Sequence, residues 1–298
     1  MNRSPTRLAL VLSCSLAVAA CAGGEDAAVD DGTEASGAAA MAEPRVPVAP
    51  TAADQLPSAI VGQGGALQGA PLQYVPGDTV STGYLAVPEG AGPFPALVIV
   101  HEWNGLVDRV RQVADDFAAE GYVTLAVDLY RGRTGSNPEE NMVLVREVMG
   151  DQPTMIANMN AAVAYLRGRD DVTGRIGAMG WCFGGGVALS YGLDGDDHDA
   201  TAIFYGALVS DPERLATMDH EVYGTFARED NGPSPDDVAA FEDALRAAGI
   251  ENDLHIYDAV GHGFWLRVDQ EPDTRTAPAL DAWQRLKAYL DRTLRGEM

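Results

Sequence analysis

Ile176-Gly177-Ala178-Met179-Gly180-Trp181-Cys182-Phe183-Gly184-Gly185-Gly186 decides how this chain folds. An apolar run opens it, a glycine precedes a tryptophan and a cysteine, and three glycines in a row follow. That order reads as a buried strand, a sharp turn carrying Cys182, and the first turn of a helix, the grammar of G-x-S-x-G with sulfur in place of oxygen. Glycines at 180 and 184 suit a turn so tight that a Cβ on either side would strike neighbouring backbone. The thiol is thereby presented at a helix N-terminus, where partial positive charge and unpaired amides favour a thiolate and can hold an oxyanion. A small core cysteine would fit the same turn.

Working outward, continuous apolar runs recur at Ala96 to Val100, Tyr122 to Val127, Ala202 to Tyr205 and Val222 to Phe226, and Leu254-His255-Ile256-Tyr257 reads as a further strand. Such runs suit parallel strands buried on both faces. Between them, Val110, Val113, Phe117 and Ala118 form one helical stripe ending at Gly121. Ile156, Met159, Val163 and Leu166 form a second before Gly168, and Val238, Phe241, Ala244 and Leu245 a third before Gly249. A last helix is predicted over Ala279 to Leu294, and an antiparallel pair over Leu72 to Val75 and Val80 to Val87, joined at Pro76-Gly77-Asp78. Alternating strand and helix place the fold in the α/β class, a mainly parallel sheet with helices on both faces.

The N-terminal stretch reads as an address. Arg3 and Arg7 precede an apolar run, Leu8 to Ala20, which is short for a bilayer span and ends in small residues, so residues 1–20 are expected to be a signal peptide. Val18-Ala19-Ala20-Cys21 resembles the lipobox of bacterial lipoproteins, which makes Cys21 the expected lipidation site. Residues 21–69 are rich in Ala, Gly, Asp and Glu and are expected to form a disordered acidic tether, with the folded domain over 70–298. Export to the bacterial cell envelope, periplasmic or outer, with a lipid holding the protein to a membrane, is the matching expectation.

Charge narrows the partners. The 298 residues carry 44 acidic against 20 basic side chains, a formal net charge of −24, which would repel nucleic acid across most of the surface. No His/Cys/Asp cluster has ligand spacing, so neither a metal nor an organic cofactor is expected. With Cys14 removed and Cys21 lipidated, Cys182 would be the one remaining thiol, which rules out an internal disulfide. A monomer is expected.

A cysteine nucleophile needs a base, and the base an orienting group. Asp230 follows the strand Val222 to Phe226, at the sheet edge where open α/β sheets gather their sites, with Glu229 beside it as a rival. His262 follows the strand ending at Tyr257, between Gly261 and Gly263; His101, after Val100, is the rival base, and His255 lies within a strand. The order nucleophile, acid, histidine is that of the α/β-hydrolase arrangement.

Four segments, His101-Glu102-Trp103-Asn104-Gly105, Asp128-Leu129-Tyr130, the Cys182 turn and Gly261-His262-Gly263-Phe264, together resemble the dienelactone hydrolase family, a cysteine branch of the α/β hydrolases. The resemblance spans about Val80 to Leu294. It implies a triad of Cys182, Asp230 and His262, a Glu102 that interacts with the thiol, and oxyanion amides from Trp103 and Phe183. It further implies a small-molecule ester or lactone substrate, a thioester acyl-enzyme, and a pocket around Tyr130, Tyr205, Phe264 and Arg267. The family clamps its substrate carboxylate with two arginines. Here one of those places falls near Glu140, and Arg267 lies one residue late, leaving Arg131, Arg133 and Arg146 as substitutes. A binding or redox-sensing protein on the same fold is the alternative from another class.

Overall fold

The computed structural model describes residues 45–47, 56–196 and 198–296. The expected signal peptide, Cys21 and most of the expected tether lie outside them. The chain runs β1 (Arg45–Val46), β2 (Ala70–Leu72), β3 (Gly83–Pro88), β4 (Phe94–Val100), α1 (Asp108–Ala119), β5 (Val123–Val127), α2 (Pro138–Met149), α3 (Gln152–Arg167) and β6 (Val172–Trp181). It continues with α4 (Phe183–Asp194), β7 (Ala200–Phe204), α5 (Pro212–Leu215), β8 (Val222–Ala227), α6 (Pro235–Ala248), β9 (Asn252–Tyr257) and α7 (Pro272–Leu290).

Among the described residues the strands form one sheet in the order β1-β3-β5-β4-β6-β7-β8-β9, with β2 also on β3. From β5 to β9 every neighbouring pair is parallel. β3 runs antiparallel to β2 and β5, and β1 is parallel to β3, so both run opposite to the main sheet. Parallel neighbours require crossover helices, and those helices cover both faces. The pleat then divides each strand between two cores. Leu97 and Ile99 of β4 join α1 and α7 around Phe117 and Trp283, whereas Ala96, Val98 and Val100 join α3 around Met155, Met159 and Val163. Ile203 and Phe226 meet Phe241 and Leu245 of α6 in a third cluster.

Local signals account for the helix ends. Asn137 and Asp151 cap α2 and α3 by accepting from the amides of Glu140 and Thr154. Ser234 and Asp237 form a capping box on α6, which stops at left-handed Gly249.

Three boundaries differ from expectation. The antiparallel pair is β2 with β3, joined by a ten-residue excursion rather than a tight turn, because Asp78 accepts from the amides of Val80 and Ser81 and curls that segment. The final helix starts at Pro272, whose missing N–H costs nothing at a first turn, and runs through Pro278. Packing also begins before Ala70. Ile60 is fully buried, the Ala59 amide donates to Asp116, and Arg109 donates to the Ala59 carbonyl. These are docking contacts onto α1, which carry no periodic signal in the segment itself.

Candidate active site

Five adjacent strands deliver their carboxyl ends to one edge of the sheet. β4 leads into His101-Glu102-Trp103, β6 into Cys182, β7 into Tyr205, β8 into Asp230 and β9 into His262. That edge is where open α/β folds build ligand sites.

Cys182 sits between β6 and α4 with φ 56° and ψ −118°, a conformation that costs an L-residue about 1–3 kcal/mol. Surrounding glycines make it possible. A Cβ at Gly180 would lie 2.4 Å from the Gly184 carbonyl oxygen, and one at Gly184 would lie 2.4 Å from that of Val100. The Cys182 amide donates to Phe204 at 2.9 Å, tying the turn to β7. Phe183 is the first residue of α4, so its amide has no partner within the helix.

His262 Nδ1 lies 2.7 Å from Asp230 Oδ2, and the Gly232 amide donates to the other carboxylate oxygen at 2.9 Å. Because that carboxylate accepts, Nδ1 carries a proton and Nε2 is the nitrogen left for the thiol. Burial pushes the imidazole down, but hydrogen bonds with Asp230 and Cys182 outweigh it and raise His262 from 6.5 to about 10. Burial likewise pushes Asp230 up, and its bond with His262 pulls it below the usual carboxylate range. Glu229, the rival orienter, has its amide bonded to the Val260 carbonyl and makes no recorded contact with His262.

The other sequence candidates are sorted by their contacts. His101 is fully buried; its Nδ1 donates to the Glu102 carbonyl at 2.6 Å and its Nε2 accepts from the Leu129 amide at 3.4 Å. Burial drives it down to about 4, so it is a neutral packing histidine and not a rival base. His255 packs against Tyr257 with the rings tilted, 4.3 Å between centroids. Glu102 is buried and pairs with Arg267; burial raises its carboxyl against the pull of that guanidinium.

Trp103, Cys182, Phe183, Tyr205 and His262 line a cavity of about 850 Å³. Of the four residues expected to shape the pocket, only Tyr205 does so, with its ring edge-on to His262 at 5.0 Å. Tyr130 is buried behind the wall. It packs against His101 and Phe183 and donates to the Trp103 carbonyl at 3.1 Å, which fixes the loop bearing Trp103. Phe264 is fully buried between Tyr205 and Tyr257. Arg267 is engaged by Glu102, Arg131 lies 3.7 Å from Asp78, and Arg133 pairs with Glu147. Glu140 is turned to Ser136, away from any substrate role.

The rest of the wall went unread in the sequence. α2 contributes Met142, Val145 and Met149, and the segment after β7 contributes Ala207, Leu208 and Val209. The spacing of the three α2 residues puts them on one helical face, and that periodicity was available as a signal. Among the described residues no group of His, Cys, Asp and Glu is arranged to hold a metal ion. None of their helices is long and apolar enough to cross a membrane.

Comparison with known proteins identifies the family. The dienelactone hydrolase family model matches residues 81–294. A relative from Methylorubrum extorquens, provisionally described as a carboxymethylenebutenolidase, is 31% identical over 225 residues, 71% of this chain and 77% of its own. One from Escherichia coli K12 with the same description is 26% identical over 243 residues, 72% of this chain and 88% of its own. The solved structure named m3DLH superposes with a TM-score of 0.67 at 25% identity, covering 76% of this chain and 98% of the other. With its α/β-hydrolase sheet and its match across the whole site-bearing domain, the chain is a hydrolase that belongs to the dienelactone hydrolase family.

Proposed function

We propose that this hydrolase cleaves an ester or lactone of a small molecule through Cys182, His262 and Asp230, by way of a thioester acyl-enzyme. The observation that carries the reading is the strained backbone of Cys182 beside a histidine that already bonds an anionic aspartate. A purely structural cysteine has no use for an oriented imidazole. Strain of this kind persists where the surrounding fold enforces it for a task.

An imidazole raised in this way, beside a cysteine at a helix N-terminus, is the setting that favours a thiolate nucleophile. Sulfur attacks the carbonyl carbon, and its electron pair moves onto oxygen. The Trp103 and Phe183 amides are suited to stabilise that oxyanion. Collapse breaks the ester C–O bond, and His262 gives its proton to the departing alkoxide. The acylated sulfur is no longer an anion, so one of the two groups holding the imidazole up is lost and burial draws it down. Neutral His262 then takes a proton from water as the water oxygen attacks the thioester. Collapse of this second intermediate expels the thiolate and releases the carboxylic acid, which ionises in solvent. Asp230 holds the tautomer and balances the imidazolium throughout.

On sequence grounds alone, we also propose that Cys21 carries lipid and holds the enzyme at the cell envelope by the acidic segment that follows it. The test of the chemistry is turnover of p-nitrophenyl acetate. Cys182→Ala and His262→Ala are each expected to lose at least about 10³-fold in kcat, the scale seen when a triad member is removed. His101→Ala retaining less activity than His262→Ala would move the base and refute the assignment.

A further inference from the structure

Resting on the reading above, we infer that the substrate is an uncharged ester with an extended apolar chain on one side of the ester bond, laid along α2. At about 850 Å³ the cavity lies toward the upper end of the range of roughly 300–1,000 Å³ typical of small-molecule sites. A compact lactone ring would leave much of it to water.

Much of its wall is apolar: Met142, Val145 and Met149 come from one face of α2, Leu189 from α4, and Leu208 and Val209 from the segment after β7. Met142 and Met149 are 37% and 48% exposed, large apolar side chains left partly in water at the rim of a chain that otherwise exposes few of them. Unbranched methionines adapt to a flexible chain better than to a rigid ring.

The wall also lacks what an anion needs. No arginine or lysine is among the lining residues; Arg131, Arg133 and Arg267 are each paired with a carboxylate elsewhere, and Arg146, exposed on α2 next to Val145, stands outside the lining. Apart from the catalytic Cys182 and His262 and the phenol of Tyr205, the ionisable lining group is Asp237, which adds to the net charge of −24 that a carboxylate-bearing substrate would meet. Ser190 is spent on the Gly186 carbonyl. Polar recognition is therefore sparse, and hydrophobic burial is left to supply specificity.

The test uses the purified protein and two series of neutral esters. One is p-nitrophenyl acetate, butyrate, hexanoate, octanoate and decanoate; the other is the acetates of alcohols lengthened in the same steps. In one series, kcat/KM is expected to rise by up to about fourfold per methylene, the gain from burying a CH₂ group, until the wall is covered. The p-nitrophenyl monoester of a dicarboxylic acid, matched in length to the best acyl chain, should be at least about tenfold slower, in the absence of a paired cation. In the double variant Met142→Ser/Met149→Ser, the ratio of octanoate to acetate kcat/KM should fall about tenfold or more. Acetate turned over normally, with both series flat or declining, would overturn this inference and leave the proposed chemistry standing. A preference for the charged ester would overturn it as well. No turnover of any ester would remove both.

Discussion

Replacing Cys182 by glycine and by alanine separates backbone strain from side-chain packing. Glycine is ordinarily the poorer residue, because its unfolded chain has more freedom to lose, by about 0.4–1 kcal/mol relative to alanine. At this turn the ranking should invert. With φ 56° and ψ −118°, alanine keeps the steric penalty of about 1–3 kcal/mol, and glycine sheds it. Both variants lose the same thiol, so its packing cancels between them. The difference that remains is strain relief less unfolded-state entropy, a net advantage to glycine of up to about 2.6 kcal/mol. For a domain of this size that corresponds to a melting temperature higher by up to about 10 °C. The assay is paired thermal unfolding, by circular dichroism or calorimetry, under one buffer. An alanine variant as stable as the glycine variant, or more so, would mean that the turn stores no strain, and the structural argument for a presented nucleophile would fail with it.

Two further outcomes are expected. His262, raised from 6.5 to about 10, binds its proton more tightly when folded, so the stability it adds is complete below about pH 6.5 and is lost as pH rises through about 10. The melting-temperature advantage of wild type over His262→Gln should shrink across that window, and NMR titration of Asp230→Asn should find the imidazole well below the wild-type value; an unchanged titration would remove Asp230 as its partner. For the envelope anchor, protein expressed with its own leader should fractionate with membranes and yield an acylated N-terminal peptide at Cys21, whereas Cys21→Ser should be soluble or unprocessed; soluble wild type with a free N-terminus would reduce the leader to a secretion signal.

The parts of the site that sequence made legible are those written in local backbone demands. Gly180 and Gly184 announce the Cys182 turn because nothing larger fits against Gly184 and Val100, and the strand–loop order carries Asp230 and His262 to the same edge. What stayed hidden depends on where side chains point after loops cross. Tyr130 and Phe264 look like pocket residues in the chain, yet the loops turn both inward, one to hold Trp103 and the other to back Tyr205. Glu102 finds Arg267 across 165 residues, a pairing that no local pattern discloses. Residues 57–62 looked like tether because their burial comes from Asp116 and Arg109 on α1, not from any periodicity of their own.

The most direct measurement is the mass of the protein during turnover of a slow ester, quenched in acid and mapped by peptide. The account predicts a single acyl adduct on Cys182, released by hydroxylamine at neutral pH as a thioester is, and absent from Cys182→Ala. An adduct on any other residue, or undiminished turnover by Cys182→Ala with no adduct formed, would contradict it.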